Sequence, residues 1–235
     1  GLRPMTRDGG AKLIVGHDQN DDAAVLDIGN GQALVHSTDF FTPIVDNPFD
    51  FGNIAGSNAI SDIYAMGASP DMALAILGWP IDKFGSKMAG EVLAGARESC
   101  KKAGIPLAGG HSIDIPQPIF GLSVTGRVGI GELKKNNGAR PGDLLYLTKP
   151  LGIGLIATAM KKELANDDDT KWALETMKKL NFEGAELSGI NGVNAMTDIT
   201  GFGLAGHLHE MMKASNCSAL IDYDSIPKYN YPRLK

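Results

Sequence analysis

Between Leu13 and Asp82 the chain carries ten aspartates and no lysine, arginine or glutamate. That window has a formal charge of −10 in a chain whose net charge is −5, so the remainder is mildly basic. Two carboxylates about 4 Å apart repel by roughly 4 kcal/mol at an effective dielectric near 20. A fold must keep such groups apart in water or bring a cation between them. Aspartate holds its oxygens close to the backbone, as a hard divalent cation with strict geometry requires. Most of the ten suit turns and helix caps. A few are placed for more.

Asp22 precedes the strand-like run Ala23 to Ile28, and Gly29-Asn30-Gly31 is a strong hairpin turn. Gln32 to Thr38 is the returning strand. Folding about Asn30 sets residue 22 opposite residue 38, so Asp21 and Asp22 meet Thr38 and Asp39 at the open end of the hairpin. A further carboxylate comes from a helix. Asn47-Pro48 is an N-cap followed by proline at the first helical position, and Gly67 is a C-terminal stop. Asn58 and Asp62 lie one turn apart on one side of it. Gly56, Ser57, Ala59 and Ser61 keep this helix thin enough for another backbone or a ligand to come close. Taken alone, Asp62 fits an exposed polar stripe equally well.

Gly109-Gly110-His111-Ser112 has the ingredients of an anion-binding nest, although Gly-Gly is also an ordinary turn. There is no P-loop and no G-x-G-x-x-G after a strand. No serine sits in a nucleophile elbow. His207 and His209, two apart on a helix, point in different directions and do not make a zinc pair. What remains is a set of oxygen ligands: Asp22, Asp39, Asn58, Asp62 and Asp198. Such ligation selects Mg²⁺, Mn²⁺ or Ca²⁺. Beside a glycine nest it points to a metal-nucleotide site.

The elements that must position these groups form an α+β pattern of two units, 1–137 and 138–235. In the first, Asp71 to Gly78 is expected to be a strand buried on both faces. Lys87 to Ala103 is a helix with Met88, Val92, Leu93, Ala96 and Cys100 inward, and Ile119 to Val128 is another strand. Gly138 to Asp143 is a linker. The second unit is expected to open with a strand over Leu144 to Thr148, followed by helices from about Leu155, from Thr170, and through His207 and Met211. It has too few strands to close a sheet, so it is expected to be incomplete. At 43% hydrophobic and 21% charged, the composition is that of a soluble globular chain with no membrane-length apolar run. Two distant cysteines suit a reducing, cytoplasmic setting. The acidic balance argues against nucleic acid. Apolar sheet surface around the hairpin and Met72 to Leu77 predicts a homodimer.

Six segments together resemble the selenophosphate synthetases (selenide, water dikinases), of the aminoimidazole ribonucleotide synthetase-like superfamily. They are Asp21 to Val25, Ser37 to Asp46, Asn58 to Gly67, Leu107 to Asp114, Leu147 to Gly152 and Thr197 to Leu204. The resemblance implies a two-domain fold whose N-terminal sheets form a barrel across a dimer, with a truncated C-terminal α/β domain. It implies ATP-dependent conversion of selenide to monoselenophosphate, releasing AMP and phosphate. By motif matching, Asp22, Asp62 and Asp198 would hold Mg²⁺. Gln19, Asn20, Asp21, Asp39, Asp62, Gly110, His111 and Ser112 would contact ATP. The charge pattern reaches Asp22, Asp39 and Asp62 independently, whereas Asp198 rests mainly on the resemblance. Nothing before Asp18 matches the family's glycine-rich segment with its cysteine or selenocysteine and lysine. The catalytic groups are therefore unassigned and the chain is expected to be inactive as it stands. The alternative is a non-catalytic Mg-nucleotide-binding paralogue with a regulatory role.

Overall fold

The computed structural model of the protein describes residues 12–17 and 21–230. A six-stranded sheet is built from β1 (Lys12–Val15), β2 (Ala24–Gly29), β3 (Gln32–Phe41), β4 (Ser69–Gly78), β5 (Leu107–Ile113) and β6 (Ile119–Gly129), in the order β1-β2-β3-β6-β4-β5. All pairings are antiparallel except β4 with β5. The β2–β3 hairpin turns through Asn30 and Gly31, with φ of 55° and 72°, the positive values that a two-residue primed turn needs. Ala24 pairs with His36 and Leu26 with Leu34, the register expected from folding about Asn30.

Two helices pack on one face of this sheet, α1 (Pro48–Ala65) and α2 (Ile81–Lys102). Asn47 caps α1 by accepting a 2.9 Å hydrogen bond from the Asp50 amide. The helix ends in a Schellman arrangement, in which Gly67 N–H donates to Tyr64 O and Ala68 N–H to Ile63 O. The small residues of α1 admit α2 at close range. A Cβ at Gly52 would stand 1.8 Å from Val92 O, and one at Gly95 2.0 Å from Phe49 O. Helix α2 begins earlier than expected and kinks at Gly85. Met88 is exposed on it and Ala89 takes the inward place, beside Val92, Ala96 and Cys100. Phe51 of α1 meets Phe41 and Phe120 edge-on, at centroid distances of 5.9 and 6.2 Å.

Among the described residues the other sheet face carries no helix, and this corrects the expectation for β4. Ala73, Ala75 and Leu77 are buried against the helices, while Met72 and Leu74 are 42% and 41% exposed on the outer face. Phe40, on β3, is 49% exposed. A continuous apolar run cannot by itself tell a strand covered twice from one covered once.

The second unit contains α3 (Ile153–Lys161), α4 (Asp167–Met177), the short α5 (Glu183–Ser188) and α6 (Gly203–Ser215). Helix α4 starts before Thr170 because Asn166 and Asp169 form a reciprocal capping box. The expected strand over Leu144 to Thr148 is not formed, and Tyr146 is 82% exposed. Strand-like residues become a strand only with a partner. Among the described residues the second unit offers only an isolated bridge, Leu151 with Lys228. No helix of the described residues is long and apolar enough to cross a membrane.

Candidate functional site

The site lies where one end of β3 meets the C-terminal half of α1 and the segment before α6. Strand alternation sends Ser37 and Asp39 to the helix-covered face, and the four-residue spacing of Asn58 and Asp62 aims both at them. The Ser37 hydroxyl donates to Asp62 Oδ2, and Asn58 Nδ2 donates to Asp39 Oδ2. On the next face of α1, Ser61 donates to Asp198 Oδ2 at 2.5 Å and accepts from Asn181 Nδ2 at 2.8 Å. Thr197 donates to Asp22 Oδ1 at 3.0 Å, tying the segment before β2 to the same place. Asp21 Oδ1 accepts from the Asn136 amide at 2.7 Å.

The electrostatics are those of crowded acids. Burial pushes the Asp22 carboxyl up to about 8, helped by Asp198 and then Asp62. Asp62 is likewise raised to about 8, by burial first and then Asp198, against the Ser37 hydrogen bond. Asp198 is raised by burial, although Ser61, His207 and Lys149 all favour its charged form. Among the described residues, the second oxygens of Asp21 and Asp22 are buried without a hydrogen-bond partner. Buried acceptors of this kind are costly unless a cation or donor arrives. As they stand, no three His, Cys, Asp or Glu side chains among the described residues are gathered closely enough to ligate one ion. The carboxylates stand apart, coupled by repulsion.

Several expectations are thereby located. Asp22, Asp39, Asp62 and Asp198 are brought to one site, with Asp21 adjoining it, while Gln19 and Asn20 lie outside the described residues. Asn58 serves as a donor to Asp39, where an oxygen ligand was expected. Thr38 is turned away, to Ser123 on the outer face at 3.1 Å, and Ser37 takes its place. The Gly109 to Ser112 segment is no nest. It is part of edge strand β5, paired with β4. Gly110 is required there because a Cβ would stand 2.2 Å from Ala75 O. Along the row Asp39, Leu122, Ala75, Gly110 the segment is three strands from Asp39, about 14 Å at the usual strand spacing. His111, next in line, pairs with Ile76 and belongs to the outer face.

Reading by sequence missed Ser37, Ser61, Asn181 and Lys149. Ser37 was open to discovery, two residues from Asp39 on the same strand face. The Lys149 ammonium donates to Lys179 O, and burial followed by the Lys179 charge lowers it to about 8. His207 is structural: its Nε2 accepts from the Thr200 amide at 3.1 Å. Cys100 is a core thiol, pushed up to about 11 by burial.

Fold and site together define an AIR synthase related protein. The profile of that family's N-terminal domain matches residues 20–128 and that of its C-terminal domain residues 140–232, and the chain belongs to this family. Within it, the chain is 57% identical to the selenide, water dikinase of Escherichia coli O139:H28 over 216 residues, 92% of this chain and 62% of the relative. The resemblance read from the six segments is thus borne out, and the chain spans less than two thirds of that relative's length. Two solved structures share the fold. Thiamine-monophosphate kinase from Stenotrophomonas maltophilia K279a has a TM-score of 0.76 at 23% identity, covering 92% of this chain and 71% of its own. The hydrogenase maturation protein HypE in complex with ATP has a TM-score of 0.67 at 22% identity, covering 84% and 60%.

Proposed function

We propose that the protein containing this chain makes monoselenophosphate from selenide and ATP, releasing AMP and phosphate. The observation that carries this reading is the 57% identity to a selenide, water dikinase across almost the whole chain, which also favours the enzyme over a regulatory paralogue. The ATP bound by the structural relative HypE supports nucleotide as a ligand. Asp22, Asp62 and Asp198 would hold Mg²⁺. The bare second oxygen of Asp22 and the mutual repulsion of the three carboxylates suit a cation that draws them together. Bound Mg²⁺ neutralises phosphate charge and orients the phosphates.

The chain's own residues do the rest of the positioning. Ser37, Ser61 and Thr197 each donate to one oxygen of a carboxylate and so leave the other to face the ligand. Asp39, held by Asn58, and Asp21 would line the nucleotide side, and the family motif would add contacts from Gln19 and Asn20. We place the reaction in the cytoplasm, and the domain division at 137/138. The chain is proposed to dimerise through the outer sheet face, whose exposed Phe40, Met72 and Leu74 would close a barrel with a second copy. Gly110, His111 and Ser112 would then meet nucleotide bound by the partner subunit. Incubating the full-length protein with ATP, Mg²⁺ and selenide should give AMP and a phosphorus–selenium resonance in ³¹P NMR. ADP formation independent of selenide would overturn the assignment.

A further inference from the structure

The first unit presents an acidic wall, and the 13–82 window that supplies Asp22, Asp39 and Asp62 holds no lysine or arginine. An anionic phosphate chain entering there needs a cation that the wall itself lacks. Lys149 is delivered to that place from the second unit. The chain is anchored two residues on, where Leu151 N–H donates to Pro227 O at 2.8 Å and Tyr229 N–H donates back to Leu151 O at 2.7 Å. Pro150, directly after Lys149, disfavours helical backbone there. The side chain reaches the turn after α4, where it donates to Lys179 O. The same turn carries Asn181, which donates to Ser61, which in turn donates to Asp198. Lys149 and Asp198 lie within mutual electrostatic reach.

An ammonium has three donors. Among the described residues Lys149 uses one, on a neutral carbonyl, while Lys178 and Lys179 of the same turn pair with Asp50 and Glu183 at 2.8 and 3.0 Å. A half-buried lysine with two donors to spare, beside a cluster of buried acids, is placed to take an incoming anion.

We propose that Lys149 is a phosphate-contacting residue, turning from the Lys179 carbonyl to the phosphates of the bound nucleotide and supplying the positive charge that the aspartate wall lacks. The inference rests on the Mg-nucleotide reading of the site. The competing role is a purely structural clasp on the turn after α4. Lys149→Gln separates the two, since glutamine can still donate to a carbonyl but carries no charge.

The test uses the full-length protein, with Mg-ATP binding followed by calorimetry and Mn²⁺ binding without nucleotide followed by loss of the free-ion electron resonance signal. Lys149→Gln should weaken Mg-ATP about tenfold or more, the scale of a lost charge-assisted hydrogen bond. Lys149→Arg should recover most of that loss. Mn²⁺ alone should bind Lys149→Gln at least as tightly as the parent, because a neighbouring cation has gone. A clasp gives a different pattern: either Mg-ATP binds Lys149→Gln as it binds the parent, or Mn²⁺ and Mg-ATP weaken together without rescue by arginine. Either result overturns the proposal. A parent that takes Mn²⁺ but no Mg-ATP overturns the nucleotide reading itself, and the role of Lys149 with it.

Discussion

Replacing Asp62 by asparagine should abolish Mg-ATP binding while making the ligand-free protein more stable. Asp62 is buried, and its carboxyl stands at about 8 because of that burial and the nearby Asp198. In the unfolded chain it ionises near 3.8. Between those values the unfolded state holds fewer protons than the folded one, so ionisation favours unfolding as pH rises. At about 1.4 kcal/mol for each pH step, the penalty reaches roughly 4 kcal/mol at pH 7 as an upper bound, and it levels off above about pH 8. Asparagine has the same shape, keeps a partner for Ser37, and escapes the penalty. It also removes a repulsion that raises Asp22.

Asp62→Asn should therefore melt higher than the parent at pH 7 without ligand, by about 2–4 °C for each kcal/mol gained in a protein of this size. The difference should close towards pH 4. Ligand reverses the order. At about 100 times the dissociation constant Mg-ATP should stabilise the parent by about 2.7 kcal/mol, and the variant by almost nothing. Melting curves at pH 4 and pH 7, with and without Mg-ATP, measure all of this. A variant that melts lower without ligand yet keeps the full Mg-ATP shift would make Asp62 a structural helix residue and refute the reasoning.

Three further outcomes are expected. The ligand-free parent should lose stability from about pH 4 to pH 8, because Asp22 and Asp62 ionise in the unfolded chain while burial keeps them protonated in the folded one; Mg²⁺ should bind more tightly across the same range and release protons, which titration in buffers of different ionisation enthalpy detects. Gly95→Ala should cost about 3 kcal/mol in denaturant unfolding, since its Cβ would stand 2.0 Å from Phe49 O where α1 and α2 cross; an unchanged midpoint would mean the crossing is looser than described. Leu74→Arg, on the outer sheet face, should give a monomer by sedimentation without loss of helix content, and a variant dimer at micromolar concentration would move the interface elsewhere.

Local chemistry made much of the fold legible. The Asn30-Gly31 turn sets the hairpin register, and Asn47-Pro48 with Gly67 bounds α1, because each depends on a few adjacent backbone angles. The acidic cluster was legible in part, since Asp22, Asp39 and Asp62 stood out in a window with no local cation, whereas Asp50 and Asp71 found theirs in Lys178 and Arg127. What escaped depends on distant partners. Gly110 looks like loop glycine, but it is small because the Ala75 backbone passes so close to it. Met72 to Leu77 looks doubly buried, yet one side is left open because both helices pack on the other. Leu144 to Thr148 has strand residues and no strand to join. Asn181 lies in none of the six segments, and Ser61 and Lys149 lie within two of them without a role of their own; their side chains matter because α1, the turn after α4 and the segment before α3 converge on Asp198.

The most direct measurement is anomalous diffraction from crystals of the full-length protein grown with Mn²⁺ and a non-hydrolysable ATP analogue. Mn²⁺ is expected between Asp22, Asp62 and Asp198, with carboxylate oxygens about 2.1 Å away and the analogue's phosphates completing its shell. Manganese and phosphates bound elsewhere, with these three carboxylates still hydrogen-bonded only to Thr197, Ser37 and Ser61, would contradict the assignment of this cleft as the metal-nucleotide site.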